Sequence, residues 1–447
     1  MSSTLIRNAR IINEGRMFTG SVLVDDDRIA MVSEGDRPVA AAADRVVEAE
    51  GAWLLPGVID EHVHFRDPGF PQKADFASES AAAVAGGVTS VMDMPNTKPQ
   101  TVTLEQAEEK FRMAAAKSLV NHSFWLGATR DNLEEIKKAD PARICGIKVF
   151  MGSSTGNMLL DDEKVLEQVF ATAPVPVGVH AEDDGIIREN LRRYEEQFGI
   201  NIPFPLHAEI RPAEACYRAT ATAIGLARVH GTRLHLLHLT TAMELELLDP
   251  TPFHPGKRIT AEACLPHLWF SEEDYYRLGS LIKVNPAVKS AADRQALREA
   301  LLDGRLDTVA TDHAPHALTE KRKPYLLAPS GMPMIQHSLP LMLELTRSSQ
   351  LTPERVVELM CHHPALLFGI RERGFIREGY YADLVLVDPR ASYEIKKEEL
   401  LYKCGWSAAE GTPLHMRVTH TFVNGRPVYE RGRLDRSVRG EALVFDR

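Results

Sequence analysis

Eight short runs of β-branched and apolar residues recur through the middle of the 447-residue chain, and helical stretches separate them. This alternation is the pattern of strand–helix–strand units, which pack as a parallel sheet with helices outside it. Eight such units over roughly residues 55–365 match a closed (β/α)8 barrel in number and in length. The runs are Val58–His64, Val88–Met94, His122–Ala128, Ile144–Met151, Val175–His180, Leu234–Leu239, Arg258–Ala263 and Thr308–Thr311, and the helical stretches include Leu104–Lys117, Asp162–Thr172, Ala213–Val229 and Ala292–Leu302.

The two ends of the chain have a different pattern. Residues 1–52 and 375–430 hold short alternating strands with turn signals between them, such as the Asn-Gly pair after Val423. Neither end is long enough to bury a sheet core alone, so we expect both to pair in one β-sandwich. Separate flaps on the barrel are the alternative. The predicted fold is α/β, a TIM-like (β/α)8 barrel with a small β-sandwich built from both chain ends. The predicted domains are 1–54 and 371–447, the two parts of the sandwich, and 55–370, the barrel.

The composition limits the partners and the compartment. Lys and Arg number 52 against 62 Asp and Glu, a net charge of -10, which disfavours nucleic acid and anionic membranes. A small anionic substrate held by buried arginines stays possible. The five cysteines are dispersed without a C-x-x-C pair, which fits a reducing compartment. No apolar run approaches the ~18 residues of a membrane span, so we expect a cytoplasmic protein.

Histidines and one aspartate stand at the ends of four of the eight runs. His62 and His64 lie two residues apart, so a strand presents both imidazoles on one face, where they suit zinc, cobalt or nickel. His180 closes the fifth run, His238 the sixth, and Asp312 follows the eighth. The carboxyl ends of barrel strands meet at one rim, so these groups are expected to gather there. Simple packing is the alternative for the H-x-H pair alone, but buried polar groups need partners.

Two further residues of the runs need an explanation. His235 and His238 are three residues apart and therefore face opposite sides of a strand; His238 is nearer the carboxyl end, so we take it as the ligand. Lys148 lies among apolar neighbours in the fourth run, where an unpaired ammonium is costly. A salt bridge to a barrel carboxylate is one explanation. A neutral Lys148 that carries a carbamate, whose two oxygens each bind one metal, is the other.

Together these motifs resemble the cyclic-amide branch of the amidohydrolase superfamily, and within it the dihydroorotases. The resemblance covers nearly the whole chain, and it is specific as a combination rather than motif by motif. It is carried by Pro56–Gly69, Met94–Thr97, Lys148, His180–Glu182, His238–Thr241, Lys283–Pro286, Asp312–His316 and Gly379–Leu384. The resemblance implies two zinc ions per chain: one held by His62, His64 and Asp312, a second held by His180 and His238, and a bridge from carboxylated Lys148.

The same resemblance implies the substrate, N-carbamoyl-L-aspartate or L-dihydroorotate of pyrimidine biosynthesis. Arg66, Asn96 and His316 would bind its carboxylate, with Asn285 near the ring. Arg66 follows His64 by two residues, and a guanidinium offers paired planar donors that suit a carboxylate; a salt bridge to Asp67 or Glu61 is the alternative. Asp312 is the expected catalytic residue, which takes a proton from water and passes it to the amide nitrogen. A homodimer is the family expectation.

Other interpretations stay open. An allantoinase, a dihydropyrimidinase or a hydantoinase would share every metal ligand, but a substrate without a carboxylate has no use for the Arg66, Asn96 and His316 trio. A catalytically silent scaffold would lack ligands, and a zinc-storage protein has no reason to place that arginine at the rim. Some related dihydroorotases bridge their metals with an aspartate, for which Asp161 or Asp162 is available. Gly331–Gln336 departs from the family's usual Gly-and-Glu version, and the charged loop Ala317–Tyr325 is a candidate lid.

Overall fold

Nineteen strands organise the described part of the chain, residues 3–35, 43–152, 158–160 and 162–447 of a computed structural model. In chain order they are β1 (Ser3–Asn13), β2 (Arg16–Asp25), β3 (Arg28–Glu34), β4 (Arg45–Glu48), β5 (Trp53–Pro56), β6 (Val58–Val63), β7 (Val88–Asp93), β8 (Asn121–Gly127), β9 (Gly146–Phe150), β10 (Val177–His180), β11 (Leu234–Leu236), β12 (Ile259–Cys264), β13 (Thr308–Ala310), β14 (Leu384–Asp388), β15 (Tyr393–Glu394), β16 (Pro413–Leu414), β17 (Arg417–Val423), β18 (Arg426–Glu430) and β19 (Arg433–Leu434).

Strands β6 to β13 form the predicted barrel, in sequence order and all parallel. Each of the eight runs became one of these strands, which confirms the fold predicted from the alternation. The barrel closes between its first and last strands through a parallel bridge from Val63 to His313, and the His64 amide donates to the His313 carbonyl at 2.8 Å. All eight carboxyl ends therefore lie at one rim.

Helices cover the outside of the barrel, and seven of the fifteen in the described residues begin at a side chain that accepts from a free backbone amide. Asp75, Thr103 and Thr241 each form a capping box, in which the residue three positions on reaches back to the cap. The helices are α1 (Phe76–Ala85), α2 (Leu104–Lys117), α3 (Leu133–Lys137), α4 (Glu163–Thr172), α5 (Asp184–Phe198), α6 (His207–Ile210), α7 (Ala213–His230), α8 (Ala242–Leu245), α9 (Leu265–Trp269), α10 (Tyr275–Leu278), α11 (Ala291–Asp303), α12 (Leu318–Lys321), α13 (Ser338–Leu345), α14 (Pro353–Val357) and α15 (His363–Phe368).

Both chain ends pair in one nine-stranded sheet beside the barrel, as the sequence predicted. Its strand order is β19-β18-β17-β14-β5-β1-β2-β3, with β4 paired to β1, so β5 and β14 join the two ends. The predicted Asn-Gly turn connects β17 to β18: Asn424 and Gly425 have φ 49° and 75°, as a two-residue hairpin requires. Gly425 also lies against the Asp26 carbonyl, 1.8 Å from where a Cβ would be, so only glycine fits.

The floor of the barrel is closed by a tryptophan and by the end of the chain. Trp125 of β8 is fully buried and donates to the Glu61 carbonyl at 2.9 Å. Below it, Leu443 and Phe445 join the same apolar cluster, and the Ala442 backbone pairs with His122 at the start of β8. The last residues thus leave the nine-stranded sheet and pack on the barrel. We keep 1–54, 55–370 and 371–447 as proposed domain limits.

No helix of the described residues is both long enough and apolar enough to cross a bilayer.

Candidate functional site

Three residues at the barrel rim hold a backbone conformation that side chains rarely adopt. Arg66, His238 and Asp312 have φ of 64°, 39° and 47°, in the left-handed region. Each follows the end of a barrel strand, where the chain turns sharply and aims its side chain back over the barrel mouth. Such conformations cost about 1–3 kcal/mol and are concentrated at functional sites.

The first cluster joins His62 and His64 of the first barrel strand to Asp312 of the last. Asp312 Oδ1 lies 3.0 Å from His64 Nε2 and 3.4 Å from His62 Nε2. Burial alone would raise the pKa of Asp312, but the His62 and His64 imidazoles outweigh it and lower that pKa to about 2. Burial lowers the pKa of His64 to about 4, against the pull of Asp312. The cluster therefore holds a carboxylate beside a neutral His64.

The second cluster pairs His180 of β10 with His238. His180 Nδ1 and His238 Nε2 face each other at 2.9 Å, and burial lowers the pKa of both imidazoles. On its far side, His180 Nε2 lies 2.9 Å from Glu182 Oε2, which in turn accepts from Arg211 Nη2 at 2.6 Å. Arg211 outweighs burial and keeps the pKa of Glu182 well below its usual range. This ionised carboxylate fixes the orientation of the His180 ring.

Lys148 lies on the inner face of β9 between the two clusters. It is 1% exposed, and its ammonium lies 4.8 Å from the centre of the Phe150 ring. Burial lowers the pKa of Lys148 to about 8, although Asp312 and Glu262 act in the opposite direction. The predicted salt-bridge alternative is not seen: no carboxylate of the described residues lies within 4.0 Å of the Lys148 amine.

The donor set fits a transition-metal site. His62 and His64 share one face with Asp312, and the three ligand atoms lie within 4.8 Å of one another. The outer nitrogen of each ring has its own partner: His62 Nδ1 lies 2.9 Å from Glu262 Oε1, and His64 Nδ1 lies 2.7 Å from Asn96 Oδ1. Histidine ligands are usually oriented in this way by a carboxylate or carbonyl behind them. Imidazole-rich sets with one carboxylate suit zinc and its neighbours in the transition series.

A buried pair of glutamates lies under the metal-binding face. Glu61 of β6 and Glu262 of β12 are both fully buried, with His235 Nε2 4.0 Å from one and 3.9 Å from the other. Burial raises the pKa of Glu61 well above its usual range, while His62 and His235 hold Glu262 ionised. His235 thus points into the barrel below the rim, and His238 lies at the rim. The spacing predicted opposite faces for the two rings, and this prediction is wrong because the strand ends at Leu236 and His238, with φ of 39°, has left strand geometry.

Arg66 lines a cavity beside the first cluster. His64, Asn96, Asn285, Asp312, Ala314, Ser330 and Gly331 line it too. Arg66 is 3% exposed; its Nε donates to the Pro315 carbonyl at 3.1 Å, and its Nη2 lies 3.0 Å from His316 Nε2. Burial lowers the pKa of Arg66 to about 10, which leaves it charged at neutral pH. Within the described residues, no carboxylate lies within 4.0 Å of this guanidinium, so neither Asp67 nor Glu61 pairs with it.

The other three predicted substrate residues also gather here. Asn285 is the clearest, because its Oδ1 is buried and has no hydrogen-bond partner within the described chain. His316 is fully buried and lies next to Arg66. Asn96 has a second function that the sequence did not show: its Oδ1 is bonded to His64 Nδ1 and fixes that ring.

Three sequence expectations concern the alternative bridging aspartates, the Gly331–Gln336 segment and the candidate lid. Asp162 caps α4 by accepting from two backbone amides, and Asp161 lies outside the described residues. Gly331 reaches the cavity, but Gln336 bonds outward to the Leu401 amide and the Glu399 carbonyl. The loop Ala317–Tyr325 is tied down: Lys321 donates to three carbonyls, and Lys283 to those of Tyr325 and Ala328. A closing movement of this loop would have to break these bonds.

Sequence reasoning missed the residues that support the site. Glu262, Glu182 and Lys73 are not part of the predicted set, yet each contacts a predicted site residue. A glutamate inside an apolar strand, as in β12, is as unusual as the lysine in β9 and was a usable signal. Lys73 lies in a loop, where a lysine is ordinary, and the sequence carried no signal for it.

Fold and site together define the class: a barrel hydrolase with a metal-binding constellation at its strand ends. The chain belongs to the amidohydrolase family, whose family model matches residues 53–428. This is a metal-dependent family, and the chain is a hydrolase acting on a cyclic amide bond.

Its relatives within the family differ in substrate. A dihydroorotase of Halobacterium salinarum is 36% identical over 433 residues, 95% of this chain and 96% of that protein. An allantoinase of Bacillus velezensis is 31% identical and covers 96% of this chain and 94% of its own. The structure of the L-hydantoinase from Arthrobacter aurescens superimposes with a TM-score of 0.91 at 28% identity, over 97% of this chain and 98% of that one. These relatives support a cyclic amidohydrolase but act on different substrates, so the substrate of this chain has to be inferred from its own site residues.

Proposed function

We propose that this protein is a dihydroorotase, which interconverts N-carbamoyl-L-aspartate and L-dihydroorotate plus water in pyrimidine biosynthesis. The observation that carries the proposal is Arg66, a buried cation beside the metal-binding face with no carboxylate within 4.0 Å in the described chain. A buried charge needs a partner. A substrate carboxylate supplies it, whereas allantoin, hydantoins and dihydrouracil carry none.

The remaining residues then take complementary positions around the ring. Arg66 and His316 bind the carboxylate, with Asn96 next to them in the same cavity. Asn285 Oδ1, which has no hydrogen-bond partner among the described residues, accepts from a ring N–H. Asp312 points into the same cavity, where it takes the proton of the attacking water and delivers it to the amide nitrogen as the ring opens. In the biosynthetic direction, protonated Asp312 supplies the proton that leaves with water.

The proposed cofactor is a pair of zinc ions. His62, His64 and Asp312 would hold one, and His180 and His238 the other. Bound zinc supplies Lewis acidity for the amide carbonyl and an activated water. Lys148 is buried with a lowered pKa, so its neutral amine is available to add to carbon dioxide, which gives a carbamate and releases one proton. That carbamate is the proposed bridge, and Asp162, which caps a helix, is the less favoured alternative.

The proposed location is the cytoplasm, and the proposed oligomer is a homodimer. The five free cysteines suit a cytoplasmic location, and the homodimer expected from the resemblance is testable by sedimentation.

The deciding experiment compares two rings in the wild type and in Arg66→Met. Loss of one partner of a buried charged pair costs ~2–5 kcal/mol, which is roughly thirty- to several-thousandfold in kcat/KM. We expect that loss for dihydroorotate and almost none for dihydrouracil, the same ring without the carboxylate. Both rings need the metal centre equally, so the comparison cancels damage to it. A wild type that prefers dihydrouracil, a hydantoin or allantoin contradicts the proposal, as does an equal loss on both rings.

A further inference from the structure

Lys73 is a second cation on the side of the cavity where Arg66 lies, and no sequence motif indicated it. It lies in the segment between β6 and α1, where its backbone amide donates to the Phe70 carbonyl at 2.9 Å. Its side chain is 12% exposed, and its Nζ lies 3.0 Å from His316 Nδ1. The carboxylate of Glu320 is 3.6 Å away. Among the predicted site residues, His316 is therefore the one that Lys73 contacts directly within the described chain.

The contact determines which nitrogen of His316 carries the proton. A lysine ammonium can only donate, so His316 Nδ1 must accept with its lone pair. The proton of the neutral ring is then on Nε2, which donates to the Ser330 carbonyl at 2.9 Å. Arg66 Nη2, 3.0 Å from the same nitrogen, is a donor and favours the other tautomer, so Lys73 and Ser330 act together against it. Burial, with the charges of Arg66 and Lys73, keeps the pKa of His316 well below its usual range, so the ring is neutral.

This tautomer leaves Arg66 available to a ligand. The His316 Nε2–H is directed to the Ser330 carbonyl, so the Arg66 Nη2 donor, 3.0 Å from the same nitrogen, finds no acceptor there. If His316 carried its proton on Nδ1 instead, Nε2 would accept from Arg66 and would compete with a substrate carboxylate for the guanidinium. The charge of Lys73 adds to that of Arg66. The Glu320 carboxylate lies 3.6 Å from Lys73, and the negative charges of Asp312, Asp93 and Glu79 also act on Arg66.

We propose that Lys73 is a positioning residue for the substrate carboxylate: it holds His316 in the Nε2-protonated form and adds a second positive charge behind it. This proposal rests on the proposed function, because it concerns how the same carboxylate is recognised. It assigns Lys73 to substrate selection rather than to the bond-breaking step.

The test measures kcat and KM separately for dihydroorotate and dihydrouracil in Lys73→Met and Lys73→Arg. A hydrogen bond to a charged group is worth enough that KM for dihydroorotate should rise roughly ten- to hundredfold in Lys73→Met. The kcat for dihydroorotate and both constants for dihydrouracil should change less than about threefold, since the metal face is untouched. Lys73→Arg keeps the charge and a donor and should recover part of the loss.

Lys323→Met is the matched control. Lys323 is exposed on the neighbouring loop and close enough to lower the pKa of Lys73, but it does not touch His316. If Lys73→Met and Lys323→Met raise the KM for dihydroorotate equally, general electrostatic attraction explains the effect and the positioning proposal is wrong. The double variant Lys73→Met/His316→Gln tests whether Lys73 acts through His316. If it does, Lys73→Met should raise KM little further once His316 is replaced. If the effects of the two substitutions on KM multiply in full, the proposal is wrong.

The two proposals fail in different ways. If wild-type protein does not prefer dihydroorotate over dihydrouracil, the proposed function is wrong, whatever Lys73 does. If the wild type has that preference and Arg66→Met abolishes it while Lys73→Met leaves KM unchanged, the function stands and only the assignment of Lys73 is wrong. Purified Lys73→Met should first show the circular dichroism and unfolding midpoint of the wild type.

Discussion

Two side chains of this site are positioned by a backbone conformation that residues other than glycine rarely adopt. Asp312 and His238 sit in the left-handed region, with φ of 47° and 39°. Aspartate and asparagine tolerate that region better than most residues because their short polar side chains bond locally. A substitution at position 312 therefore tests chemistry cleanly only if the new residue tolerates the same conformation.

Asp312→Asn meets that condition. Asparagine keeps the size, the φ tolerance and one ligand oxygen, but its amide cannot accept the proton that the proposed role requires. Because proton transfer by a positioned group contributes roughly 10²–10⁴-fold, we expect kcat to fall by that range. Metal content, measured by mass spectrometry on the same sample, should fall far less.

The control for this prediction is the comparison of the loss of kcat with the loss of bound metal in Asp312→Asn. If activity and metal content fall in parallel, Asp312 is a ligand only and another group carries the proton.

The predicted site residues came together because strand periodicity and barrel topology together fix where strand ends point. His62, His64, His180 and His238 were placed at one rim by that argument alone, and the structure brings them there. The supporting residues could not be found in this way. Lys73 reaches His316 from a loop 243 positions away in sequence, and such a pairing depends on three-dimensional packing that no local pattern encodes.

At the scale of elements, glycines on two adjacent strands make room for one large ring. Gly146 of β9 and Gly178 of β10 lie so close to Trp125 that an added Cβ would be 2.3 Å and 2.6 Å from its ring. Trp125 is itself fully buried and closes the floor of the barrel under the polar layer. The sequence pattern gave the strands correctly but could not show that these glycines face a tryptophan.

Gly178→Ala should therefore destabilise the barrel. The new methyl collides with a ring that has no free space to enter, and such overpacking costs about 1–3 kcal/mol. The measurement is the urea midpoint of unfolding followed by tryptophan fluorescence and far-ultraviolet circular dichroism.

Gly225→Ala is the matched control. Gly225 lies inside α7, and nothing approaches within 4 Å of the added Cβ. There the same change should stabilise the protein by about 0.5–1 kcal/mol, because alanine is the better helix former. A rise of the midpoint in both variants would mean that the Trp125 ring yields more easily than its packing suggests.

At the scale of the whole molecule, the barrel and the joint sheet were predictable, and the chain terminus was not. The repeated strand–helix alternation leaves few alternatives to a closed parallel barrel, and two ends too short for separate sheets must pair with each other. The path of Gly440–Phe445 along β8 followed from no pattern, because it rests on two isolated bridges, a few backbone hydrogen bonds and a few apolar contacts.

Removal of metal should loosen the molecule as a whole. The proposed ligands come from the first, fourth, fifth, sixth and eighth barrel strands, so an ion bound only to the folded state ties distant strands together. Such binding stabilises by RT ln(1 + [L]/Kd), about 4 kcal/mol at a thousandfold excess over Kd. We expect a chelator to lower the thermal midpoint by several degrees.

Re-addition separates this effect from damage by the chelator. Zinc should restore both the midpoint and activity, whereas magnesium should restore neither, because the sites present mainly imidazole nitrogens. A midpoint that does not move while metal content falls to zero would contradict a structural contribution of the ions.

The pairing of β5 with β14 has a consequence for how the protein is made. On the ribosome, β5 emerges roughly 330 residues before its neighbour β14. At about 5–20 residues per second, its edge therefore waits on the order of 15–65 seconds without a partner. During that interval the exposed strand is open to other nascent chains and to chaperones. Protein yield should therefore depend on translation speed and chaperone supply more strongly than the stability of the finished enzyme implies.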